Sequence, residues 1–119
     1  MKIYAIDDEP IHLLIYERAY GATTFQSPGA LIDALCREQP DLLISDLMMP
    51  KVDGWTIVSI ARNIYPDLPI IIGTSMDDFV QKQCAKHKGC LYWIKGAENL
   101  PTLRQLVEEI RCTKLNGKQ

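Results

Sequence analysis

The sequence predicts an α/β fold, a parallel sheet covered by helices on both faces, and three observations carry that expectation. Five short β-rich runs alternate with five segments of helical period along the whole chain of 119 residues. The central runs, Leu42-Leu43-Ile44 and Ile70-Ile71-Ile72, are continuously apolar rather than alternating, as strands buried on both faces should be. No internal repeat, linker or low-complexity stretch interrupts the pattern, so the right-handed crossovers of a single sheet would place helices on either side.

Each element has its local signal. Residues 2–6 form a first strand ending in Asp7-Asp8-Glu9, and Pro10 sits where a helix can begin, with Ile11, Leu14, Ile15, Arg18 and Ala19 following at helical spacing until Gly21. Residues 22–26 make a weak second strand. Ser27-Pro28 then supplies an N-cap and an N1 proline for a helix with Leu31, Ala34 and Leu35 on one face. Residues 42–46 are the third strand, and after a loop the helical period returns over 55–65 through Ile57, Val58, Ala61 and Ile64, ending at Pro66. A fourth strand spans 69–74. Ser75 or Asp77 can cap the next helix, which runs to about His87 and closes at Gly89. Residues 91–95 are the fifth strand, and Pro101 opens a last helix with Leu103, Leu106, Val107 and Ile110 facing inward.

Composition narrows the function. With 13 basic against 15 acidic residues there is no electrostatic footprint for nucleic acid or an anionic membrane. The start turns acidic by its seventh residue, unlike a signal peptide, and no apolar run approaches the ~18 residues of a membrane span, so a cytoplasmic protein is expected. Cys36, Cys84, Cys90 and Cys112 show no C-x-x-C pair or zinc spacing and read as free thiols acting as small core hydrophobes. His12 and His87, far apart in sequence, read as surface helix positions, and Trp55 and Trp93 as packing residues.

The stretch LLISDLMMPKVDG, 42–54, organises the rest. Asp46 ends a buried strand, where a carboxylate is a helix cap, an ion-pair partner or a reactive group. Pro50, Asp53 and Gly54 put a turn-rich loop between it and the next helix, too long for a cap. In open parallel sheets, reactive groups gather beyond the carboxyl ends of the strands. Those ends deliver Asp7 and Asp8 from strand one, Asp46 from strand three, Thr74 from strand four and Lys95 from strand five.

The acidic pair, D-x-x-x-P-x-x-x-G from Asp46 through Pro50 to Gly54, Thr74 after I-I-I-G, and Lys95 after L-Y-W-I together resemble the receiver domains of two-component response regulators, the chemotaxis regulators among them. The resemblance covers essentially the whole chain and implies one receiver domain over 1–119 with the flavodoxin-like (βα)5 strand order 2-1-3-4-5. It implies a signalling switch rather than an enzyme in the ordinary sense. Asp46 is then the phosphoacceptor, Thr74 and Lys95 contact the phosphoryl group, and Asp7, Asp8, Asp46 and the Met48 backbone carbonyl hold Mg2+. Thr74 and Tyr92 are the switch residues. Implied partners are a sensor histidine kinase or histidine phosphotransfer protein and a downstream protein target, met through helix four, strand five and helix five.

The residue types suit that chemistry. Clustered carboxylates repel and need a cation, and hard oxygen ligands favour Mg2+. A carboxylate nucleophile gives a mixed anhydride, whose oxygens can draw in Thr74 and Lys95 by charge-assisted hydrogen bonds. Lys95 is followed by Gly96 where receivers usually carry a proline in a cis peptide, and Thr74 by Ser75 where alanine or glycine is usual. The positions two beyond the phosphoacceptor and the threonine are Met48 and Met76. A receiver excised from a longer regulator, with residues 114–119 starting a linker, is the alternative reading. A haloacid-dehalogenase-type phosphatase would need an acid where Met48 stands, and a degenerate scaffold would not keep every charged position.

Overall fold

The computed structural model describes residues 1–116. Strands β1 (Ile3–Ile6), β2 (Thr23–Phe25), β3 (Leu42–Asp46), β4 (Ile70–Thr74) and β5 (Leu91–Ile94) alternate with helices α1 (Pro10–Tyr20), α2 (Pro28–Arg37), α3 (Gly54–Ile64), α4 (Phe79–His87) and α5 (Leu100–Asn116). A 3-10 turn, Ala97–Asn99, leads into α5. All strands are parallel in the order β2-β1-β3-β4-β5, the expected flavodoxin-like arrangement. Strand order reverses between β1 and β3, which opens a crevice beyond their carboxyl ends.

Side chains alternate across a strand, so a continuously apolar strand feeds two cores. Ile3, Ala5, Leu42, Ile44, Ile71 and Trp93 pack on one face with Leu13 and Tyr16 of α1 and Leu103, Val107 and Ile110 of α5. Tyr4, Ile6, Leu43, Ile70 and Ile72 pack on the other with Leu31 and Leu35 of α2, Ile57, Val58 and Ala61 of α3, and Ala85 of α4. Burial of each large aliphatic contributes about 1.5–3 kcal/mol, so the sheet is well fixed beneath the loops it presents.

Several local expectations change. In α1 the buried residues are Leu13 and Tyr16, while Ile11 and Leu14 stay exposed. The helix begins apolar nearly all round, so period alone allows two stripes. The stripe with Tyr16 is buried because its ring meets Trp93 edge-on, centroids 6.4 Å apart. Neither Ser75 nor Asp77 caps α4; Asp78 does, accepting the Gln81 N–H at 3.1 Å, while Asp77 pairs with Lys82. Of the four cysteines only Cys90 is buried, Cys84 is intermediate, and Cys36 and Cys112 are exposed, so the thiols are free but not uniformly core. Helix α5 continues to Asn116, into the stretch 114–119 that the alternative reading makes the start of a linker, whose residues 117–119 lie outside the described residues.

Helix α4 buries Ala85 alone and is otherwise tied by polar contacts. The Trp55 indole N–H of α3 donates to Gln81 Oε1 at 2.7 Å. Arg62 of α3 donates to the carbonyls of Leu68, Lys88 and Gly89 at 2.8, 2.8 and 3.1 Å, which fastens the α4–β5 turn.

Candidate functional site

Asp7 follows β1 directly. Its amide still donates to the Phe25 carbonyl of β2 at 3.3 Å, and its fully buried carboxylate accepts the Glu9 N–H through Oδ1 at 2.9 Å. Asp8, next along, turns to solvent. Asp46 ends β3 opposite Gly73 of β4 and is 5% exposed. Beyond it the loop is stitched back to the sheet, Leu47 N–H to the Gly73 carbonyl at 2.9 Å and Gly54 N–H to the Leu47 carbonyl at 2.7 Å. A Cβ on Gly54 would stand 2.6 Å from the Asp46 carbonyl oxygen, so α3 can start against this strand end only with glycine.

Lys95 lies one residue past β5, its amide continuing the ladder to the Thr74 carbonyl at 2.8 Å. Its stem passes over Gly73, whose missing side chain leaves it room. The ammonium reaches Asp7 Oδ2 at 2.7 Å and Asp46 Oδ1 at 3.0 Å, with only 6% of the lysine side chain exposed. Burial, a hydrogen bond shared with Asp8 and the charge of Asp7 push the Asp46 carboxyl up to about 7, and Lys95 pulls against them. One ammonium does not neutralise three carboxylates.

Carboxylate oxygens of Asp7, Asp8 and Asp46 lie within 4.8 Å of one another. Three convergent hard oxygen donors, two of them buried and electrostatically frustrated, suit a small divalent cation such as Mg2+, which takes carboxylates and keeps waters. Met48, whose backbone carbonyl was the other expected donor, sits exposed in the loop after β3.

Asp7, Asp8, Asp46 and Lys95 are therefore brought together. Thr74 is buried at the end of β4, but its hydroxyl accepts the Met76 N–H at 3.2 Å rather than joining the carboxylates. Half-buried Tyr92 donates its hydroxyl to the Met76 carbonyl at 2.9 Å. Thr74 and Tyr92 thus both hold the backbone of Met76 in the β4–α4 loop, Thr74 at its amide and Tyr92 at its carbonyl. Gly96 stands at φ 146°, a conformation closed to proline, so this turn follows its own geometry after Lys95.

His12 was read as a surface residue and is not one. It lies on the first turn of α1 with Nδ1 3.4 Å from Asp7 Oδ2 and 3.5 Å from Glu9 Oε2. Its position one turn beyond the acidic pair was the available signal. His87 is exposed near the end of α4, as expected, and Trp93 is core, its indole N–H donating to the Asn99 carbonyl at 2.8 Å.

The sequence matches the response regulator receiver domain family over residues 3–108. The chain belongs to that family. Among curated relatives, this receiver domain is 29% identical over 112 residues to the DNA-binding transcriptional regulator NtrC of Proteus hauseri, covering 90% of this chain and 24% of that protein. It is 31% identical over 96 residues to NtrC of Klebsiella pneumoniae, covering 76% of this chain and 20% of that one. The chain thus spans about a quarter or less of the length of these relatives. Among solved structures, the beryllofluoride-activated NtrC receiver domain superposes with a TM-score of 0.69 at 29% identity, covering 92% of both chains. Chemotaxis protein CheY4 of Vibrio cholerae shares the fold, with a TM-score of 0.81 at 22% identity over 92% of this chain and 97% of that one.

Proposed function

We propose that this receiver accepts a phosphoryl group on Asp46 from a phosphohistidine of a sensor histidine kinase or histidine phosphotransfer protein in the cytoplasm. The observation that carries the reading is the Lys95 ammonium held between Asp7 and Asp46 in a pocket nearly closed to solvent. An Asp46 carboxylate oxygen attacks phosphorus in line, the phosphorus–nitrogen bond breaks, and the electron pair leaves on the donor imidazole, which is neutral once its ring carries a proton. Mg2+ at Asp7, Asp8, Asp46 and the Met48 carbonyl would neutralise charge on the transferring group. Lys95 is already placed to follow that charge from the carboxylate to the phosphoryl oxygens.

The product is an acyl phosphate, and its oxygens offer the Thr74 hydroxyl, which now only accepts, a charge-assisted bond to donate. Turning that hydroxyl inward removes one of the two bonds to the Met76 backbone, which loosens the residue whose carbonyl holds Tyr92. Helix α4, with Ala85 as its sole buried residue, is the helix least held by apolar packing and so the one this change can move. The output is read as altered protein binding on α4, β5 and α5, without nucleic-acid or membrane contact by this domain. Residues 1–119 are taken as a single receiver domain. That a DNA-binding or other output domain belongs with it is a second reading, favoured by the fraction of NtrC that the chain spans.

Amide shifts with Mg2+ and beryllofluoride test the switch. Changes through 74–78, α4 and 91–95 are expected. Changes confined to the loops after β1 and β3 would refute it.

A further inference from the structure

Two buried polar atoms on α1, His12 Nδ1 and the Tyr16 hydroxyl, have no hydrogen-bond partner among the described residues. They sit four residues apart, on one face of the helix. His12 Nδ1 is 3.4 Å from Asp7 Oδ2, in reach but misaligned for a hydrogen bond. Tyr16 is 1% exposed, and burial together with the charges of Asp7 and Asp46 holds its phenol well above the usual range, so its hydroxyl stays a donor close to that pocket.

Leaving a buried donor unsatisfied is unfavourable and rare, and leucine and phenylalanine would fill these positions without it. His12 Nδ1 faces the Asp7 carboxylate, and Tyr16 follows one turn on along the same face of α1. Asp7 Oδ1 is held by the Glu9 amide, but Oδ2 depends on Lys95, and Lys95 is shared with Asp46. Under the function proposed above, on which this inference rests, Lys95 turns to the phosphoryl oxygens and Asp7 Oδ2 loses bonding just when the carboxylate must stay oriented toward the metal. We propose that His12 and Tyr16 are positioning residues for Asp7, spare donors that keep its carboxylate aligned when Lys95 is drawn off.

The test is the Mg2+ concentration needed to form the beryllofluoride complex, followed by amide shifts in wild type, Tyr16→Phe, His12→Leu and His12→Gln. Removing the outer hydrogen-bond partner of a metal ligand weakens metal affinity by roughly tenfold or more, so the midpoints of Tyr16→Phe and His12→Leu should rise about tenfold. His12→Gln retains a donor and should stay near wild type. Metal-free Tyr16→Phe should melt no lower than wild type, because an unsatisfied hydroxyl has gone, which separates the effect from unfolding. Midpoints unchanged in both Tyr16→Phe and His12→Leu would overturn the positioning role alone. A wild type that forms no Mg2+-dependent complex would overturn the proposed phosphoacceptor function and this inference together.

Discussion

Lys95 Nζ lies 3.0 Å from Asp46 Oδ1, a contact between the ends of β5 and β3 that crosses β4, and both side chains are almost sealed from water. The same ammonium makes its shorter contact, 2.7 Å, to Asp7. It therefore serves two roles that a substitution can separate.

Replacing Lys95 by methionine keeps the stem and removes the charge. The acidic cluster becomes more negative, so Mg2+ should bind at least as tightly as in wild type. Uptake of phosphate from a small donor should fall tenfold or more, since loss of even ~1.4 kcal/mol of transition-state stabilisation is a factor of ten. Mg2+ titration and a phosphorylation time course check both halves. An unchanged rate of uptake would show that Lys95 is structural.

The raised Asp46 carboxyl, at about 7 against 3.8 for a free side chain, makes stability depend on pH. Burial is the largest cause, so the folded state favours the protonated form. The stabilising contribution is complete below about 3.8 and is lost as pH rises through 7. Without metal, the difference in melting temperature between wild type and Asp46→Asn should therefore shift against wild type from pH 5 to pH 8. Saturating Mg2+ should reverse the trend, because it binds the ionised group. Parallel melting profiles for the two proteins across this range would contradict the account.

The sheet was legible because its strands carry unbranched logic: both faces are buried, so Leu42-Leu43-Ile44 and Ile70-Ile71-Ile72 have no polar position to mislead. Asp7, Asp8, Asp46 and Lys95 followed from their places at strand ends. The face of α1 did not, since Ile11, Leu13, Leu14, Ile15 and Tyr16 fill two possible stripes and only the contact of Tyr16 with Trp93 chooses between them. The same choice turns His12 toward Asp7, which is why it was mistaken for a surface residue. The α4 boundary failed for a different reason: the sequence offered Ser75 and Asp77 as caps, but the Lys82 ammonium takes Asp77, and Asp78, one residue on, accepts the Gln81 N–H instead.

Under the proposed function, the lifetime of phosphorylated Asp46 would be set by the side chains around the attacking water. Met48 and Met76, two residues beyond Asp46 and Thr74, are 58% and 40% exposed, so neither fills the core. A thioether is a poor acceptor and cannot orient water, so hydrolysis should be slow. Met48→Asn with Met76→Glu should shorten the lifetime by roughly an order of magnitude or more. Asp77, next to Met76, is the carboxylate that could compete for that role by sequence position, and its pairing with Lys82 of α4 draws it away. Adduct decay in wild type, the double variant and Asp77→Ala separates the two. Wild-type decay as fast as the double variant, slowed by Asp77→Ala, would show that Asp77 sets the rate.

The account stands on Asp46 as the sole phosphoacceptor. Intact mass after incubation with acetyl phosphate or phosphoramidate measures this directly, in wild type and Asp46→Asn, with Mg2+ and with EDTA. One phosphate adduct is predicted in wild type with Mg2+, and none in the variant or in EDTA. An adduct that persists in Asp46→Asn, or forms undiminished in EDTA, would contradict it.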